Sequence, residues 1–188
     1  MLILDVLSKL YSDNKQKIYI LFIKINSMKK LLLPKDFPLI KVNGNEFDDL
    51  EGLEQLMNKF PYSSRDPEFL KYQLDKDKYF LWVVDSKEKG PVGYILCSPN
   101  MKNFVNRTPA FYVVERFTDK NYRNMLICSR LVGTASKYAR DLGKKCIYEE
   151  VDLSNDLGLK SSASLGFEEI TKLRRGKDTY SIRRKYLR

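Results

Sequence analysis

Apolar residues recur along this chain in two rhythms. Between residues 43 and 75 they keep helical spacing. Phe47, Leu50, Leu53, Leu56, Met57 and Phe60 stand three or four apart, predicting an amphipathic helix capped by Asn43 or Asn45 and ended by Pro61. Asp66-Pro67 opens a second, with Phe69, Leu70 and Leu74 inward. Strand-like runs bracket this region: Leu39 to Val42 before it, then Tyr79 to Val84 and Val92 to Cys97, a hairpin joined by a polar turn, and Ala110 to Glu115.

A long helix follows over Arg123 to Leu142. Its stripe of Met125, Cys128, Leu131, Val132, Ala135, Tyr138, Ala139 and Leu142 keeps period, and Gly143 is its stop. Cys146 to Leu153 reads as a strand and Asp156 to Leu165 as a short helix. Phe167 to Arg174 and Thr179 to Tyr186 close the chain as a hairpin around Gly176. Residues 1–27, a helix (Leu2 to Tyr11) and a strand (Ile18 to Ile25), read as an added segment before a domain spanning 28–188. From residue 39 the order is β-α-α-β-β-β-α-β-α-β-β. One strand-helix-strand crossover sits in an otherwise antiparallel run, so the fold class is α/β (α+β): a single domain with a mixed, largely antiparallel central sheet flanked by helices.

Composition narrows the chemistry. The chain has 188 residues, 43% of them hydrophobic, which suits one packed domain. It contains no histidine, which removes Ser-His and Cys-His nucleophile pairs and most catalytic zinc sites, so no metal is expected. Cys97, Cys128 and Cys146 are scattered without a CxxC pair, as free thiols in a reducing compartment are. No stretch is long enough to span a bilayer, and the first residues lack a positive leader, so a soluble cytoplasmic protein is expected. The net charge of +10 gathers toward the end, in Lys172, Arg174, Arg175, Lys177, Arg183, Arg184, Lys185 and Arg188. A solvated edge hairpin accounts for such a run better than a nucleic-acid surface, because neither aromatic interleaving nor a nucleic-acid motif accompanies it.

The element order resembles the GNAT superfamily of N-acetyltransferases, and two stretches carry the likeness. Tyr122-Arg123-Asn124-Met125-Leu126-Ile127-Cys128-Ser129 is similar to the family's coenzyme A loop and helix, (R/Q)-x-x-G-x-(G/A). A helix start offers unpaired amides and a positive dipole end to a pyrophosphate, and Arg123 adds a charged donor. Leu126 stands where the family has glycine, and Cys128 replaces the second small residue. The second stretch runs from Tyr148 through Glu150 and Asn155 to Gly166-Phe167, similar to the family's strand, asparagine, short helix and G-F turn.

The resemblance implies acetyl-coenzyme A as acyl donor and an amine, small or protein-borne, as acceptor. It places Arg123, Leu126, Ile127, Cys128, Ser129 and Asn155 at the cofactor, with the Val113 and Val114 backbone on its pantetheine arm. Glu150 falls where ribosomal-protein acetyltransferases of the family carry a general base, with Glu115 next in line. Ser162 stands at the position of the tyrosine that protonates the departing thiolate. Serine is a far weaker acid, so either the thiolate leaves with help from Ser162 or water, or the fold persists as a weak module binding coenzyme A or a protein partner. Strand parity puts Glu150 on the cleft side, with Ser162 expected across that cleft. Glu149 falls on the apolar face and, if buried, needs a partner.

Overall fold

The computed structural model describes residues 37–42, 52–59, 66–102, 108–123 and 125–187. The segment expected over residues 1–27, the caps Asn43 and Asn45, and Phe47, Leu50, Phe60 and Pro61 lie outside them.

Among the described residues seven strands make one sheet: β1 (Leu39–Val42), β2 (Phe80–Ser86), β3 (Gly90–Lys102), β4 (Pro109–Thr118), β5 (Cys146–Asp152), β6 (Glu168–Arg175) and β7 (Asp178–Tyr186). They lie in the order β1-β2-β3-β4-β5-β7-β6. Every neighbouring pair is antiparallel except β4 and β5. That exception follows from the chain, because α3 (Ile127–Asp141) is the crossover between those two strands. The other α-helices among the described residues are α1 (Leu53–Asn58), α2 (Pro67–Asp75) and α4 (Asp156–Ser164). Among the described residues no helix is long and apolar enough to cross a membrane.

Strand β2 shows why the sheet needs cover on both faces. Phe80, Trp82 and Val84 pack with Ile127, Leu131, Val132, Ala135 and Ala139 of α3. Leu81 and Val83, of opposite parity, pack with Leu53, Leu56, Leu70 and Leu74 of α1 and α2. Both faces being buried, the strand reads as a continuous apolar run. Burying each such aliphatic side chain contributes about 1.5–3 kcal/mol.

One helix starts later than the sequence expectation, while the expected caps of the first lie outside the described residues. Helix α1 follows Gly52, whose left-handed backbone (φ 83°) serves as its cap. The crossover helix begins at Ile127 rather than Arg123, because Leu126 takes a left-handed conformation that breaks the turn (φ 57°, ψ 11°). Gly93 of β3 seats that start: a Cβ there would stand 2.8 Å from Ile127 Cγ2 and 3.1 Å from the Phe117 carbonyl oxygen. At the far end Gly143 supplies the expected left-handed stop.

Candidate active site

The parallel pair comes apart in the middle of the sheet. Its ladder matches Phe111 with Ile147, Tyr112 with Tyr148 and Val113 with Glu149, and ends there, while both strands continue. On the other edge of β4, Glu115 faces Leu96 and Val113 faces Cys97, so Val114 is an extra residue. Such a bulge bends its strand and turns it from its neighbour. Of the two valines expected to be free for a pantetheine arm, Val113 still belongs to the ladder and Val114 is the first residue past it.

Two cavities meet at this parting. One, of about 670 Å³, lies between the starts of α3 and α4 and takes in Arg123, Leu126, Ile127, Cys128, Ser129 and Lys160. The other, of about 520 Å³, takes in Val114, Glu115, Glu150, Tyr112, Tyr180 and Arg175. Arg116, Asn155 and Gly158 line both.

The first cavity carries groups that suit an anion. Arg123 is extended (φ −63°, ψ 152°) and exposed, ahead of the helix rather than within it. Among the described residues no side chain caps α3, and its first backbone bond runs from Arg130 N to Leu126 O at 2.9 Å. The helix therefore makes no use of the amides of Ile127, Cys128 and Ser129. Leu126 explains what a glycine would do here. Its left-handed backbone costs a branched side chain about 1–2 kcal/mol, and glycine almost nothing.

The floor shared by the cavities is equally specific. Asn155 caps α4, its Oδ1 accepting from Gly158 N at 2.8 Å. A Cβ on Gly158 would stand 2.7 Å from Asn155 Nδ2 and 3.0 Å from Val151 Cγ1, so only glycine leaves the cap and strand in place.

Ser162 requires a correction. It is fully buried, lines neither cavity, and its hydroxyl has no partner among the described residues. Helical phase is the reason. Leu157, Gly158, Ser161, Ser164 and Leu165 carry the face toward the first cavity, and Ser162 turns to the core. Ser161, not singled out from sequence, faces the cavity in its place.

The carboxylates are each held differently. Glu150 lines the second cavity and pairs with Arg175 at 2.8 Å. Burial raises its pKa above the usual glutamate value, and Arg175 offsets this only in part. Glu115 is buried and accepts from the Tyr94 hydroxyl at 2.6 Å. Glu149 is buried on the α3 side, as parity required, and its partner is Arg116, whose Nε donates to Oε2 at 2.9 Å. Arg116 Nη1 also donates to Ser161 Oγ at 3.0 Å and reaches Cys128 Sγ at 3.2 Å. Burial would lower the pKa of this guanidinium, but Glu149 and Cys128 outweigh it, and the group stays above the ordinary arginine value. Sequence reasoning missed Arg116. The available signal was a lone cation at the end of an apolar strand, next to a strand carrying an unexplained buried acid.

The basic run at the end of the chain is largely engaged. Arg183 donates to the Phe167 carbonyl and Lys185 to the Leu165 carbonyl, tying β7 to the turn after α4, and Arg175 is drawn in by Glu150.

The sequence model of the acetyltransferase (GNAT) family matches residues 50–167. An uncharacterized N-acetyltransferase of Methanocaldococcus jannaschii is 25% identical over 185 residues, covering 84% of this chain and 78% of that protein. Among solved structures, Arabidopsis thaliana NAA60 in complex with a bisubstrate analogue aligns with a TM-score of 0.65 at 12% identity, over 80% of this chain and 97% of that one. The NatC complex bound to Gag peptide and CoA aligns at 0.61 and 16% identity, over 80% of this chain and 99% of that one. At such identities the two structures testify to the fold.

Proposed function

The chain belongs to the acetyltransferase (GNAT) family, and on that footing we propose that it moves an acyl group, acetyl first, from acetyl-coenzyme A to an amine by direct attack. The observation that carries this reading is the meeting of two cavities at the parting of β4 and β5, one beside an uncapped helix start and the other holding Glu150.

The residues present fit the acyl donor. Three amides at the start of α3, with Arg123 and Lys160 beside them, suit a pyrophosphate. The edge of β4 past Val113 leaves backbone groups toward the gap, as an extended amide-bearing arm requires. When bound, acetyl-coenzyme A supplies the activated acyl group. The chain's own residues orient the donor and take up the proton that the amine loses. Glu150 suits the role of proton acceptor, being partly buried, raised in pKa and restrained by Arg175. Glu115 is already engaged by the Tyr94 hydroxyl, which makes it the second choice.

A second reading, a weak module that binds coenzyme A or a protein partner, draws support from Leu126, which leaves a side chain 40% exposed beside the phosphate approach, and from the buried Ser162. Calorimetry separates both readings from a protein that binds no coenzyme A. Acetyl-coenzyme A is expected to bind in the micromolar range, and Arg123→Ala to weaken it by about 1–3 kcal/mol through loss of a charge-assisted contact. No heat at millimolar donor would refute the acyltransferase and the coenzyme A-binding module alike, leaving only a module for a protein partner.

A further inference from the structure

The direct-attack reading leaves one charge unaccounted for. Transfer forms a C–N bond and breaks the C–S bond of the thioester. The amine's proton passes to Glu150, and the electron pair of the broken bond stays on sulfur. The side chain expected to meet that charge, Ser162, is buried away from both cavities.

The bond that breaks must lie where the two cavities join, since the donor's phosphates belong to one and the base to the other. Among the described residues only Arg116, Asn155 and Gly158 line both. Asn155 spends its carbonyl oxygen on the α4 cap and keeps only the neutral Nδ2 amide as a donor, and Gly158 has no side chain. The tyrosines sit to either side: Tyr122 in the first cavity, Tyr112 and Tyr180 in the second. Arg116 is the one cation at the junction among the described residues.

We propose that Arg116 is a catalytic residue which holds the negative charge of the departing thiolate, with Glu149, Ser161 and Cys128 fixing its guanidinium at the cavity junction; this rests on the acyltransferase reading above. The hydrogen bonds support the role. Nε and Nη2 donate to the two oxygens of Glu149 at 2.9 and 3.4 Å, and Nη1 serves Cys128 and Ser161. Of the five N–H groups of a guanidinium, four are thereby committed, leaving one on Nη2. Already oriented by four bonds, the fork needs no rearrangement to receive charge, which is what makes a buried donor effective at a reacting centre. It acts as a fixed cation rather than an acid, and the sulfur takes its proton later from water. The sulfur of Cys128 standing 3.2 Å from Nη1 shows that the fork already accommodates a sulfur atom at contact distance.

The test is the ionisation of the coenzyme A thiol on the protein. Thiolate absorbance near 232 nm is titrated in the coenzyme A complex against the desulfo-coenzyme A complex, so that the chain's own cysteines cancel. In the parent, the bound thiol is expected to ionise at least about tenfold more readily than that of free coenzyme A titrated under the same conditions. Arg116→Leu with Glu149→Leu, which removes both charges and strands neither, should abolish that gain while leaving desulfo-coenzyme A binding unchanged. Its turnover should fall by about 10²-fold, the loss usual for one preorganised donor. An ordinary thiol pKa in the parent complex would overturn the proposal whether or not the double variant folds. Equal thiol pKa values in parent and variant would do the same. Failure of the parent to bind either ligand would overturn the acyltransferase reading together with this one.

Discussion

Arg116 and Glu149 meet at 2.9 Å across the gap where β4 and β5 part, with both side chains almost wholly out of water. Neither charge is tolerable there alone. Arg116→Ala should therefore cost about 3–5 kcal/mol in denaturant unfolding, because it strands a buried carboxylate. The paired change of Arg116 and Glu149 to leucine should cost far less. Equal losses for the two variants would show that the pair contributes nothing as a pair.

Leu126 is the strained residue at the donor's phosphate end. Leu126→Gly should raise stability by about 0.5–1 kcal/mol, the left-handed penalty less the extra freedom of the unfolded chain. Leu126→Ala keeps the penalty and should bring no such gain. Thermal melts of the two variants check this, and equal midpoints would mean that Leu126 carries no strain.

Much of this was legible in the sequence because it follows from period and punctuation. The order of strands, the helix after β4, the Gly143 stop and the Gly176 turn are local, and each rests on a few neighbouring residues. Parity along β5 also put Glu149 and Glu150 on opposite faces. The misses are tertiary. Arg123 opens the helix in sequence, yet the left-handed Leu126 delays the helix to Ile127. Family resemblance gave Ser162 its place in a motif, but the phase of α4 turns it inward and presents Ser161. Arg116 acquires its meaning only from Glu149, 33 positions further along the chain, once the strands lie side by side.

Ser162 carries a prediction of its own. Its buried hydroxyl has no partner among the described residues, so Ser162→Ala should be neutral or up to about 1 kcal/mol more stable. Ser162→Tyr must place a ring at a fully buried position, and should cost at least about 1–3 kcal/mol. A stable tyrosine variant with raised turnover would show instead that the position opens toward the cleft.

The pH profile follows from Glu150. Burial raises its pKa, so turnover should climb with pH through a limb above the ordinary glutamate range, where the carboxylate becomes ionised and able to accept a proton. Arg175 favours the ionised form. Arg175→Gln should therefore move that limb to higher pH while leaving the plateau in place. A limb unmoved by Arg175→Gln would show that Glu150 does not set it.

Free-thiol release from acetyl-coenzyme A, followed over a panel of amines for the parent and for Glu150→Gln, tests the central claim most directly. Release should depend on the amine, and Glu150→Gln should slow it by about 10²–10⁴-fold while calorimetry still registers donor binding. A Glu150→Gln variant as active as the parent would contradict the assignment of the base. A parent that binds the donor yet releases no thiol with any amine would contradict the acyltransferase itself.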